Sequence, residues 1–332
     1  MAKNNIDKSN MKEVIAKSPE QLTKGLNLAK NIKIEGKFKN VIICGVGGSA
    51  LPANILNSIV SSRIPIYIHR DYNLPGLANE DSLIICISYS GNTEETISAL
   101  QEAINKNITS VAIATGGKIE KMCEEHNIAL AKIPAGIQPR SATGYLFSAL
   151  STILTNCGII EDISSDIFHT AEELIKINST LEKEGKTLAK KLAKKIPIVY
   201  ASNNLKAAAR IWKIKFNENS KIPAFHNYFP ELNHNEMVGF TDKKRVGNFH
   251  VLIIRDNKDH PRTIKRMELM SSTLTKKGVK NSFIDTKEGT MMFRLFAVLL
   301  LGDWTSYYVA INNKTDPTPV VMVEEFKAMM QK

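Results

Sequence analysis

The sequence predicts an α/β fold built as two units, each a parallel sheet flanked by helices. Three observations predict it. At 332 residues the chain is too long for one typical domain and comfortable for two. Short β-branched runs alternate with stretches of helical spacing, the rhythm of βαβ units and a parallel sheet. That rhythm stops near Ile160–Ser165 and resumes after a long lysine-rich stretch, which places two domains at 1–160 and 161–332. The two halves share no evident sequence identity, so their likeness is one of rhythm only.

The elements follow in order. Met11–Ile32 reads as a helix packed outside the first sheet. Val41–Cys44 is a strand ending in glycines, Ala50–Ser61 a helix, and Ile64–His69 a second strand. Leu83–Ile87 is a third strand, followed by a helix over Thr93–Ala103. Val111–Ala114 and Ile128–Ile133 are strands, and Tyr145–Gly158 is a helix. Asp166–Ala193 is a long helical stretch. The second half repeats the pattern: strands at Ile196–Tyr200, His250–Ile254 and Ser282–Ile284, and helices at Leu205–Asn217, Arg262–Lys277 and Met291–Ile311.

Composition narrows the class. With 43% hydrophobic and 23% charged residues, the chain reads as an ordinary soluble globular protein. The longest apolar run, Leu295–Leu301, is bracketed by Arg294 and Asp303 and suits a core helix, so no membrane association is expected. Met1–Asn10 is polar, which argues against secretion and for a cytoplasmic protein. Cys44, Cys86, Cys123 and Cys157 form no CxxC pair and read as reduced thiols. Cys123 and His126 have no second pair of ligands near them, so no metal is expected. The net charge of +11 is spread over solvated helix faces such as Lys183–Lys195, with few aromatics between the lysines. That favours attraction of a small anion over nucleic-acid binding.

The strongest local signal is Ser88-Tyr89-Ser90-Gly91-Asn92-Thr93, between a strand and a helix opening with Glu94 and Glu95. Open α/β sheets bind ligands beyond the carboxyl ends of their strands. Here two serines and a threonine offer hydroxyls, and Gly91 permits a tight turn. Unpaired N–H groups and the helix dipole favour an anion such as phosphate. The competing reading is a capping box, with Asn92 as N-cap and Glu95 three residues on. A second loop, Gly45-Val46-Gly47-Gly48-Ser49-Ala50, ends the first strand. It only loosely fits a dinucleotide fingerprint, with Asp71 as the one possible acidic partner, so no cofactor is expected. Gly47 and Gly48 instead suit a backbone that touches a small sugar.

Through S-Y-S-G-N-T-E-E-T the sequence resembles the SIS (sugar isomerase) fold. More narrowly it resembles the bifunctional phosphoglucose/phosphomannose isomerase family. The narrower likeness is carried by the glycine loop, Pro139-Arg140-Ser141-Ala142-Thr143-Gly144-Tyr145, Asn217-Glu218-Asn219-Ser220-Lys221, Pro230-Glu231-Leu232-Asn233-His234-Asn235-Glu236 and Lys314-Thr315-Asp316-Pro317. The resemblance implies two SIS-type domains, the first with the phosphate loop and the second with the catalytic base and a C-terminal helix. It implies a homodimer with active sites at the subunit interface. It also implies metal-independent interconversion of glucose 6-phosphate, and mannose 6-phosphate, with fructose 6-phosphate. The family's phosphate ligands fall on Ser88, Ser90 and Thr93, and its sugar contacts on Gly47, Gly48 and Ser49. Its enediolate-stabilising arginine falls on Arg140, its base on Glu218, its ring-opening histidine on His234 and its active-site lysine on Lys314. The chain departs from the pattern at Pro52-Ala53, where small or glycine residues are expected. Thr305 and Ser306 are candidates for the small residue that admits mannose.

The residue types suit those roles. A partly buried Glu218 could move a proton between C1 and C2 of a sugar; otherwise it is a helix-end glutamate. Arg140 keeps its charge and its planar fork suits an enediolate; otherwise it is a solvated surface arginine. His234 could move a proton at the ring oxygen; otherwise it is a structural histidine bonded to Glu231 or Glu236, and His226 remains a rival. Lys314 could assist ring opening or neutralise charge. Two rival functions remain. One is a sugar-phosphate sensor without catalysis, although no segment is left for a DNA-binding helix-turn-helix. The other is an SIS enzyme of another sugar phosphate, which would not need the set Glu218, His234 and Lys314.

Overall fold

A computed structural model describes residues 6–330, so the first residues of the polar segment Met1–Asn10 lie outside it. The chain divides into two compact units, Lys17–Ile175 and the remainder, residues 6–16 with 176–330. This differs from a boundary near residue 160. The division falls inside the long helix, and the first helix belongs with the C-terminal half. The cause lies in α1 (Met11–Ala16), which buries Met11 and Ile15, one turn apart, within that half. Asn178 Nδ2 donates to the Ala16 carbonyl at 2.7 Å and fastens its end. A single helix over Met11–Ile32 is therefore corrected: α2 (Glu20–Leu28) is separate. Pro19 follows Ser18 at the break, and proline disfavours helical backbone in the residue before it.

In the unit Lys17–Ile175, β1 (Asn40–Cys44), α3 (Leu51–Ile59), β2 (Ile66–His69), β3 (Ser82–Ser88), α4 (Glu94–Asn105), β4 (Ser110–Ala114), β5 (Ala129–Lys132) and α6 (Thr143–Asn156) follow the expected order, and a further helix, α5 (Gly117–Glu125), lies between β4 and β5. α7 (Ser164–Lys191) follows. The sheet is parallel throughout, in the order β2-β1-β3-β4-β5. Every residue of β3 is buried, which explains its unbroken apolar run: helices cover both faces of a central parallel strand. The helix α5 carries no strong apolar run. Its core contacts are Ile119, Met122 and Cys123, spaced i, i+3 and i+4 among charged residues. The four cysteines are free thiols, with Cys44, Cys86 and Cys123 buried.

The second unit holds β6 (Ile196–Ser202), α8 (Lys206–Glu218), β7 (Phe225–Phe229), α9 (Lys243–Val246), β8 (Phe249–Arg255), α10 (Pro261–Lys276), β9 (Lys280–Asp285), α11 (Met291–Asn312) and α12 (Val321–Met330). Its sheet is also parallel, in the order β7-β6-β8-β9. The strand β7 is an edge strand with exposed Phe225 and His226, so it lacks the apolar pattern of its neighbours.

In each sheet the first strand lies inside. β1 sits between β2 and β3, and β6 between β7 and β8. The chain leaves that strand toward one side and returns on the other, so the loops after β1 and β3 diverge and leave a crevice at the carboxyl edge. The same holds for β6 and β8.

By length and composition α11 is apolar enough to cross a membrane, yet 78% of its most apolar window is buried. Its composition is accounted for by that burial. The helix α8 packs on it at Gly302, where the Trp212 indole crosses and donates from Nε1 to the Val298 carbonyl at 2.9 Å. A Cβ on Gly302 would lie 2.6 Å from that Nε1. Gly302→Ala is therefore expected to force α8 outward and to destabilise the fold by about 1–3 kcal/mol, read as a lower denaturation midpoint.

Candidate functional site

The loop after β3 is held on several sides before it reaches α4. Ser88 is fully buried, and its Oγ pairs with Thr93 Oγ1 at 2.8 Å across the turn. The Tyr89 N–H donates to Ser49 Oγ at 3.0 Å, tying this loop to the glycine loop after β1. The Tyr89 hydroxyl donates to the Pro134 carbonyl at 3.2 Å and accepts from the Ile137 N–H at 3.1 Å. Burial pushes that phenol above its ordinary value, so it stays a neutral donor. Ser90 is exposed at the turn, and its Oγ accepts from the Asn92 N–H at 3.2 Å.

Gly91 is required twice over. Its φ is +69°, and a Cβ there would lie 1.7 Å from the Gly116 carbonyl oxygen. That approach lets the Gly91 carbonyl accept from the Ile119 N–H at 3.0 Å. Asn92 takes part in the same contact: its Oδ1 accepts from the Lys118 N–H at 3.0 Å. The capping-box reading is corrected here, because Asn92 faces the next loop. The N-cap position of α4 is Thr93, which makes no side-chain cap. The first amides of α4 thus have no side-chain cap, and they sit at the positive end of the helix dipole.

Gly47 and Gly48 of the β1 loop do different work. Gly47 has φ +52° and open space around its Cβ position, so the turn itself needs it. A Cβ on Gly48 would lie 2.7 Å from the Arg140 backbone nitrogen, so Gly48 lets this loop press on Pro139-Arg140. Asp71, the possible dinucleotide partner, is exposed and accepts from the adjacent Tyr72 N–H at 2.8 Å.

Arg140 is not a surface residue. It is only 1% exposed, with Nη1 donating to Gln138 Oε1 at 3.2 Å. A buried guanidinium is costly unless anions or dipoles meet it. Gly47, Gly48, Ser49, Ser88, Ser90, Thr93 and Arg140 thus share one crevice edge, linked by the Ser49–Tyr89 bond and the Gly48–Arg140 approach. The edge carries hydroxyls and uncapped helix amides, with the buried positive charge of Arg140 on an adjoining loop, a set that suits an anion such as phosphate.

Glu218, His234 and Lys314 belong to the other unit. Glu218 is half-buried as the last residue of α8. The next two residues bind α11: Asn219 Nδ2 donates to Ser306 Oγ at 2.9 Å and Ser220 Oγ to the Ser306 carbonyl at 2.7 Å. Thr305 and Ser306 are both fully buried, and Ser306 is where the Asn219 and Ser220 side chains are held. Below Glu218 the ammonium of Lys215, 3% exposed, pairs with Asp303 of α11. His234 is exposed at the end of a short turn, Glu231–His234, anchored by buried Leu232. The carboxylates weighed as its structural partners are engaged elsewhere. Glu231 accepts from Asn235 Nδ2 at 2.7 Å. Glu236 accepts from the Tyr200 hydroxyl at 2.5 Å and also from Asn227. His226 lies on β7. Lys314 is exposed in the turn after α11, with φ +55°.

Comparison with known proteins now bears on this arrangement. A bifunctional phosphoglucose/phosphomannose isomerase from Caldicellulosiruptor bescii is 38% identical, over 96% of this chain and 98% of its own. The chain belongs to the bifunctional phosphoglucose/phosphomannose isomerase family. The family member from Aquifex aeolicus is 33% identical over 89% of this chain and 91% of its own. Residues 181–330 match the model for the bacterial phospho-glucose isomerase C-terminal SIS domain. The C-terminal domain of glucosamine-fructose-6-phosphate aminotransferase from Francisella tularensis superposes with a TM-score of 0.73. That match covers 93% of this chain and 98% of the other at 17% identity, and shows the shared SIS-like fold alone.

Sequence reading missed the roles of Tyr89 and Gln138, which hold the Ser88–Thr93 loop and Arg140. Neither residue type is diagnostic, so only the fold reveals them. Gly91→Ala is expected to break the contact with Gly116 and to lower stability by more than about 1 kcal/mol, measured by chemical denaturation.

Proposed function

We propose that this enzyme interconverts glucose 6-phosphate, and mannose 6-phosphate, with fructose 6-phosphate through an enediol. The observation that carries the proposal is the buried Arg140 beside the hydroxyl loop and the uncapped start of α4. In this reading Ser88, Ser90 and Thr93 and the α4 amides hold the phosphate. Gly47 and Ser49 lie along the sugar. Glu218 as carboxylate takes the proton from C2 of the open-chain aldose, and the electron pair of that C–H bond forms the C1–C2 double bond. Negative charge then grows on O1, where the Arg140 guanidinium stabilises it. A proton then passes from the O2 hydroxyl to O1, and as the C2 carbonyl forms the electron pair of the double bond takes the proton back from Glu218 at C1, which gives the ketose. Because C2 becomes planar in the enediol, either epimer at C2 leads to the same ketose, which suits a family named for both substrates. The partner subunit's His234 opens the ring in a homodimer whose sites lie at the interface, and Lys314 balances charge during opening. The chemistry calls for no metal, and the cytoplasm supplies these substrates.

A coupled assay with each hexose phosphate tests the reading. Wild type is expected to turn over both, with no loss in EDTA, and to elute as a dimer. Glu218→Gln is expected to lower kcat by about 10²–10⁴-fold, with a small change in KM. Full activity of Glu218→Gln would sink the base assignment. Tight binding of both sugars without turnover by wild type would instead identify a sensor.

A further inference from the structure

Glu218 ends α8, and the backbone beyond it is bound by three successive side chains. Asn219 and Ser220 reach α11, as described above. Lys221 does something different. The chain turns left-handed there, with φ +55°, and folds the Lys221 side chain back along the helix end. Its ammonium donates to the Glu218 carbonyl at 2.5 Å and to the Asn219 carbonyl at 3.4 Å. Such carbonyls at a helix end have no intrahelical donor, and a lysine near the C-terminus often satisfies them.

The third bond goes beyond a helix cap. The same ammonium donates to the Pro317 carbonyl at 2.9 Å, 96 residues away in sequence. Pro317 is buried, and it closes the turn that carries Lys314. That turn is itself held by the Thr315 N–H on the Ala310 carbonyl at 3.0 Å, and by the Thr318 N–H on Asp316 Oδ1 at 3.0 Å. One charged group therefore joins the peptide of Glu218 to the turn of Lys314.

We propose that Lys221 is a positioning residue for the isomerisation, fixing the Glu218 carboxylate relative to Lys314 through their backbones. The proposal rests on Glu218 as the base. Its hydrogen bonds are charge-assisted and so stronger than neutral ones, which makes the bridge a stiff one. A base must stay within hydrogen-bond reach of the proton it moves, and a displacement near 1 Å can cost about 100-fold in rate.

The test uses the full chain with Lys221→Met, which keeps the stem and removes the donors, and Lys221→Arg, which restores donors and charge. Activity is expressed per folded enzyme, with the folded fraction read by circular dichroism. Lys221→Met is expected to lower kcat by about 10–100-fold while KM stays within about twofold, and Lys221→Arg to recover most of that loss. In a Glu218→Gln background, Lys221→Met should lower kcat no further, because its effect passes through the missing carboxylate. An unchanged kcat per folded Lys221→Met enzyme, or an equal and additive loss on Glu218→Gln, would overturn the proposal. Retention of full activity by Glu218→Gln alone would instead overturn the base reading beneath it.

Discussion

The parallel pairing of β1 with β2 on one side and β3 on the other is the constraint on which the Ser88–Thr93 loop depends. It forces the loops after β1 and β3 apart and leaves helix-start amides facing the gap. Close contacts in that unit then hold these two loops to each other and to the loops after β4 and β5. Ser49 receives the Tyr89 amide, Gly48 admits the Arg140 backbone, and Gly91 admits Gly116. Loops are usually the mobile part of a domain, but here the glycines let backbone pack on backbone, which leaves little room for drift.

Much of this was legible in the sequence, for physical reasons. Strands buried on both faces must be continuously apolar, so Val41–Cys44 and Leu83–Ile87 announce themselves. The hydroxyls and glycine of Ser88–Thr93 mark a tight turn at a helix start, and the structure has that turn, with Gly91 at φ +69°. The weak signals belong to elements whose burial is partial. The charged helix α5 shows its core face only at Ile119, Met122 and Cys123, and edge strand β7 exposes two of its five residues and buries only Phe229. The break at Pro19 was legible too, since proline marks a helix boundary, but the continuous apolar spacing on either side masked it.

Roles set by tertiary contact were not legible. Asn92 beside a helix looks like a cap until Lys118 is seen to donate to it. Arg140 looks like a surface charge until the glycine loop is seen to cover it. Thr305 and Ser306 look accessible on a helix whose surroundings are unknown, and prove to be bonding and packing positions. In the second unit the same logic applies to α8. Its end is fixed by the Lys215–Asp303 pair, by Ser306 and by the Lys221 bridge, which together leave the Glu218 peptide little freedom. Under the proposed role of Glu218 that fixity matters, because proton transfer tolerates less displacement than charge attraction.

The central claim is that the substrate's phosphate binds at the carboxyl edge of β3. A crystal structure of the Glu218→Gln enzyme with fructose 6-phosphate tests it most directly. The account predicts the phosphate within hydrogen-bond distance of the Ser88, Ser90 and Thr93 hydroxyls and the first amides of α4. A phosphate bound at the corresponding edge of β6 and β8, with the Ser88–Thr93 loop empty, would contradict it.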